Sequence, residues 1–209
     1  MLRHARQCCR EHDVCFEHHD IEYDNPNLIL DKYGPFDRVF AFLTFHFVWN
    51  LKTGYENVNR LLKDGGECLT VNFTRTGITD VLYRLHQKGE WRAFVPDLTA
   101  IFADRFCFDR PVPKKQLIGL EKSAVTDAGL HLISCNTYKS QWIFPNMEEC
   151  SDLYVPLFKL GDNVPKEKQS DFLDAFKSTV LEVSGTAKHI TFDYDSIVTH
   201  SQKRRCVSC

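Results

Sequence analysis

None of the ten glycines in this chain stands two residues from another, so there is no G-x-G turn of the kind that lets backbone N–H groups approach a nucleotide-like cofactor closely. The glycine fingerprint of a dehydrogenase is missing with it. Apart from the terminal Cys206-Val207-Ser208-Cys209, the nine cysteines form no C-x-x-C pair. One pair without a second does not build a tetrahedral zinc site, so His4, Cys8, Cys9, His12, Cys15, His18 and His19 read as helix-face and strand residues and no metal is expected. No run approaches the ~20 apolar residues of a membrane helix. Arg3, Arg6 and Arg10 stand where a secretory leader would carry its apolar core. The expectation is therefore a cytoplasmic chain with free thiols and no membrane span. Charge of one sign is also lacking: 26 basic residues meet 28 acidic ones, and a net charge of −2 gives no electrostatic reason to expect nucleic acid.

What is present suits one globular domain. The 209 residues are 43% apolar and 26% charged, enough to bury a core. The most informative stretch is FDRVFAFLTFHFVWN at 36–50, where the apolar run Val39–Trp49 is broken only by Thr44 and His46. Such a run suits a parallel strand covered on both faces. Tyr55, Val58, Leu61 and Leu62 then recur at helical spacing, Gly65-Gly66 offers a left-handed helix end, and ECLTVNF reads as the next strand. The result is a βαβ unit, whose ligands belong at the carboxyl ends of the strands, near His46, Phe47 and Trp49.

Along the chain the periodicities predict a helix over 1–11, strand 14–19, helix 27–33, strand 37–44, helix 53–63, strand 67–73 and helix 78–89. An aromatic region over 91–112, interrupted by Pro96 and Pro111, is followed by helix 114–128, strand 129–137, a helix after Pro145 and a helix over 165–183. The final strand alternates Ile190, Phe192 and Tyr194 and then changes phase at Ile197-Val198, which predicts an edge strand or a bulge. The Asn72-Phe73-Thr74 sequon falls in a strand and is discounted, and the terminal cysteines read as a disordered tail.

The segment FDRVFAFLTFHFVWN…LLKDGGECLTVNF resembles the fourth strand, following helix and fifth strand of class I S-adenosylmethionine-dependent methyltransferases. Within that superfamily, Ala41–Val48 and Leu61–Gly66 are most similar to the S-F-x-x-L-H-W-V and L-L-K-P-G-G motifs of arthropod juvenile-hormone acid O-methyltransferases. The resemblance extends through Trp91 to the terminal strand. It implies an α/β, Rossmann-like sheet of order 3-2-1-4-5-7-6, a single domain over 1–209, and helical substrate cover over about 77–128 and 145–183. Because Met1 already lies in a helical stripe, strands 1 and 2 and their cofactor loop are expected to be missing, as in an amino-terminally truncated copy. Residues 37–44 should then form an unnatural apolar sheet edge.

By the same resemblance, S-adenosylmethionine is the cofactor, with Asp20 and Ile21 beside its adenine and Phe42 and Leu43 beside its ribose and sulfonium. His46, Phe47, Trp49 and Trp91 would face the substrate, a small apolar carboxylic acid such as a terpenoid or fatty acid. From the residues alone, Asp20 reads equally as a solvated turn residue and His46 as a core imidazole satisfied by backbone. Phe47 stands where the family has Trp and cannot offer an indole N–H. A carboxylate needs no general base at neutral pH, so no catalytic residue is expected. The alternative function is an inactive chain that binds an apolar ligand or a partner.

Overall fold

The computed structural model describes Arg6 and residues 14–102, 112–160, 164–186 and 189–205. The expected helix over 1–11, Phe106 and Phe108 of the aromatic region, and the terminal cysteines lie outside the described residues. In order, the elements are α1 (Asn27–Tyr33), β1 (Phe36–Phe42), α2 (Leu51–Leu61), β2 (Leu62–Thr76), α3 (Gly77–Gln87), α4 (Leu98–Ile101), α5 (Lys114–Asp127), β3 (Leu130–Phe144), α6 (Met147–Leu157), α7 (Gln169–Ser184) and β4 (Ile190–Lys203). The four strands make one mixed sheet in the order β1-β2-β4-β3. β1 and β2 run parallel, joined by the α2 crossover, and β4 is antiparallel to both of its neighbours. This is the 4-5-7-6 portion of the expected order.

Two expectations are corrected. Residues 14–19 do not form a strand; they run as irregular chain. Strand-like alternation alone cannot hold them extended, because a strand needs a neighbour for its backbone groups and β1 has its one partner in β2. Of the two alternatives for the final strand, edge or bulge, the edge fails: it is one of the two inner strands of the sheet, paired on both sides. Its phase change is real: Ile190 and Phe192 are buried at one end, Ile197, Thr199 and Ser201 at the other. The switch accompanies a register shift in β2 between Phe73 and Thr76, so a bulge rather than an edge explains the pattern.

Gly65 takes φ +80°, yet it does not cap α2, which ends at Leu61. It lies instead in a β2 irregularity opposite Asp37. Thr76 starts α3 with a capping box closed by Thr79, and a Cβ on Gly77 would lie 2.2 Å from the Phe192 ring, so only glycine lets this helix leave the sheet so close to β4.

The core has two main parts. Phe45, Tyr55, Val58, Leu62, Cys68, Val125 and Leu130 join α2 and α5 to one face of the sheet. A larger cluster binds α3, α6 and α7 to the far ends of β3 and β4 through Leu82, Leu85, Tyr154, Phe176 and Phe192. On the sheet face opposite α2, Phe40 and Phe42 of the edge strand are 59% and 57% exposed, so β1 is covered on one face only and not, as its apolar run suggested, on both; the exposed rings lie on the edge strand.

Candidate functional site

β1 ends at Phe42, and its last ladder bond is donated by Leu43 N to Val71 O at 2.7 Å. Leu43 itself takes φ +54°. A left-handed conformation costs a γ-branched residue on the order of 1–3 kcal/mol, and such strain persists where the surroundings impose it, often at a site. It turns the chain sharply from the strand into the short 3-10 helix Phe45–Phe47. That turn buries Phe45 and His46 while leaving Phe42, Leu43 and Phe47 about half exposed at the strand end.

His46 is 1% exposed. Its ring centroid lies 3.9 Å from Phe73, 4.1 Å from Phe47 and 5.9 Å from Phe102. Phe47 and Phe102 stack at 5.2 Å. The carboxyl ends of β1 and β2 and Phe102 at the carboxyl end of α4 thus meet in an aromatic mouth around one imidazole. Trp91 is not part of it. The indole is 5% exposed and packs edge-on against Phe172 at 5.4 Å, inside the larger core.

The segment carrying Asp20 and Ile21 is tied to the same end of the sheet. Asp20 Oδ1 accepts the backbone N–H groups of Glu22 (2.9 Å) and Tyr23 (3.2 Å), and Asp24 Oδ2 accepts Asp20 N, making an Asx-type turn. Glu22 then reaches across: its two carboxylate oxygens accept Trp49 N and Asn50 N, both at 2.8 Å. Asn57 Nδ2 adds a bond to Ile21 O at 2.9 Å. The negative charge of Glu22 lies at the amino end of α2, where the helix dipole favours it, and Asn50 caps the helix by accepting Thr53 N. Asp20, Ile21 and the half-exposed Trp49 are in this way brought together at the start of α2.

Under the mouth lies a buried polar chain. The Tyr55 hydroxyl donates to Glu121 Oε1 and lies 3.0 Å from Thr70 Oγ1. The Thr199 hydroxyl is 3.4 Å from the same carboxylate oxygen and 3.5 Å from Cys135 Sγ. Burial first, and the Glu121 charge second, hold the Tyr55 phenol well above its ordinary value, so it stays a donor. The same two causes push the Cys68 thiol up to about 12. Among the described residues no group of three or more His, Cys, Asp and Glu side chains could hold a metal.

Sequence reasoning passed over Glu22 and Glu121, met Asn72 and Phe73 only as a discounted sequon, and had Phe102 within the aromatic region without singling it out. Only Asn72 carried a signal: an amide inside an apolar strand needs a partner or a cavity, just as His46 does.

Asp20 is exposed and Ile21 half-buried, and their segment is held to the start of α2 through Glu22 and Asn57; the described residues contain no glycine turn of G-x-G spacing.

No protein-family model matches the chain. It is 25% identical over 196 residues to juvenile hormone acid O-methyltransferase of Bombyx mori, covering 88% of this chain and 66% of that one. It is 24% identical over 153 residues to the Drosophila melanogaster protein of the same name, covering 72% and 49%. The chain thus spans between half and two thirds of the length of these curated relatives. Among solved structures it superposes on a candidate methyltransferase of Bacillus halodurans with a TM-score of 0.52 at 18% identity, covering 97% of this chain and 78% of that one. The YcgJ protein of Bacillus subtilis gives 0.51 at 15% identity, with 98% and 79% coverage. The chain is a homologue of the juvenile hormone acid O-methyltransferases and has the fold of class I methyltransferases.

Proposed function

We propose that the function of this chain is the S-adenosylmethionine-dependent O-methylation of the carboxylate of a small apolar acid. The observation that carries the reading is the aromatic mouth at the carboxyl ends of β1 and β2, with His46 buried between Phe47, Phe73 and Phe102 and the Asp20-Ile21 turn held beside it. S-adenosylmethionine, when bound, supplies an electrophilic methyl group. Asp20 and Ile21 would take its adenine, and Phe42 and Leu43 its ribose and sulfonium side. The apolar rings strip water from the incoming acid and orient its oxygen, while His46 supplies the one polar contact among them. A carboxylate of pKa about 4 is already a nucleophile at neutral pH, so orientation and water exclusion are what the residues contribute. The names of the two relatives favour a terpenoid-like acid. Trp91, packed on Phe172, serves as a brace for the helical cover.

A second reading is that the chain binds an apolar ligand or partner without turnover, and the absence of any G-x-G spacing favours it. Calorimetry and methyl-ester formation separate the two, using the 209-residue chain and a chimaera that adds the preceding segment of the Bombyx mori relative. The family resemblance implies a glycine turn and a ribose-binding carboxylate that have no counterpart identified in this sequence; at about 1.5–3 kcal/mol per charge-assisted contact, the 209-residue chain is expected to bind S-adenosylmethionine on the order of a thousandfold more weakly than the chimaera, with no turnover. In the chimaera, ester formation should appear, and His46→Ala should lower turnover more than cofactor affinity. A chimaera that binds cofactor yet methylates no apolar acid would overturn the enzyme reading.

A further inference from the structure

A cavity of about 10 Å³ lies beneath the aromatic mouth, between the sheet and α5. Leu117 and Ile197 form apolar walls; His46, Asn72 and Glu121 are the polar ones. All five are less than a tenth exposed. Asn72 stands on β2 opposite Ile197 of β4, and its Oδ1 is buried with no hydrogen-bond partner among the described residues. A buried carbonyl oxygen is rarely left in that state, because it surrendered its water on folding and gained nothing in return. The volume suits a single water, and a wall with several polar groups is what such a water requires, whereas apolar voids stay dry. Glu121 enters the cavity from α5 already braced, since its Oε1 accepts from Tyr55 and Thr199.

We propose that this cavity holds one ordered water joining Asn72, Glu121 and the His46 imidazole, and that Asn72 and Glu121 are thereby positioning residues that fix which ring nitrogen of His46 carries the proton. A water has two hydrogens to give. Donating them to Asn72 Oδ1 and to the Glu121 carboxylate leaves only its lone pairs toward the ring, so the nitrogen on the cavity side must be N–H. The other nitrogen then presents a lone pair.

The test is made on the ligand-free 209-residue chain, labelled with ¹⁵N and ¹³C, so methyl transfer enters neither readout and failure of the enzyme reading is seen separately. Long-range ¹⁵N–¹H spectra at neutral pH should show His46 as one neutral tautomer, and water–protein cross-relaxation should place a long-lived water against the cavity residues. Asn72→Leu fills the space and expels the water; His46 should then become a mixture of tautomers. Asn72→Ser, which keeps a polar group and room for water, should preserve the single form. An unchanged tautomer in Asn72→Leu, or a mixture already in the wild type, overturns the proposal. Should Asn72→Leu not fold, the wild-type measurement decides alone: a long-lived water supports the proposal and a dry cavity refutes it.

Discussion

Replacing Glu22 by Ala tests the link that holds the Asp20-Ile21 turn against the rest of the molecule. Its two oxygens accept Trp49 N and Asn50 N at 2.8 Å. Hydrogen bonds to a charged acceptor contribute about 1.5–3 kcal/mol each. Glu22 is half-buried, so water can replace part of what is lost, and halving the sum gives about 2 kcal/mol for the pair. The bond from Asn57 to Ile21 O survives, so the effect should be local undocking rather than loss of the fold. A change of about 2 kcal/mol is roughly a thirtyfold shift in an equilibrium. Native-state hydrogen exchange is therefore expected to speed up about thirtyfold at the Trp49 and Asn50 amides in Glu22→Ala, while the interior of α2, such as Val58, changes little. Glu22→Gln should fall between, because one of its two atoms is a donor facing an N–H. Unchanged exchange at Trp49 and Asn50 would refute the tether, and a uniform rise at every amide would show that Glu22 stabilises the whole domain instead.

Other consequences are as direct. Burial pushes the Cys68 and Cys150 thiols up to about 12, whereas Cys15 is exposed; at pH 8 iodoacetamide should modify Cys15 in the native protein and leave both buried thiols untouched, as read by peptide mass spectrometry. Hydrogen bonds from Lys32 and then Tyr33 hold the Glu17 carboxyl below its ordinary value of 4.5. The depressed value means that the contact between residue 17 and α1 is at full strength above that pH and weakens as pH falls below it, which the Tyr33 ring resonances should report, with no change between pH 6 and 8. Phe40, 59% exposed on the edge strand, should drive association; Phe40→Lys is expected to reduce light scattering at equal concentration without lowering the melting temperature, and unchanged scattering would locate the sticky surface elsewhere.

The sequence determined the elements whose signals are local. The first half of the apolar run 39–49 became β1, the stripe Tyr55-Val58-Leu61 became α2 although Leu62, grouped with it, opens β2, the helix expected over 165–183 is α7 from residue 169, and the phase change in the last strand was legible, because period and burial are properties of neighbours along the chain. The strand-end motif around His46 pointed to the end of β1, where the imidazole lies among Phe47, Phe73 and Phe102. Pairing was another matter. Residues 14–19 alternate like a strand yet find no ladder, and β4, which reads as an edge or a bulge, lies between β2 and β3, since its strand partners stand from 46 to 135 residues away along the chain. Tertiary structure alone drew Trp91 into the core against Phe172, assigned Glu22 to the start of α2, and set Glu121 against Tyr55 and Thr199. Each of those contacts joins residues far apart in sequence, and nothing in the local pattern of an isolated Glu or Trp says which distant group will meet its charge or its ring.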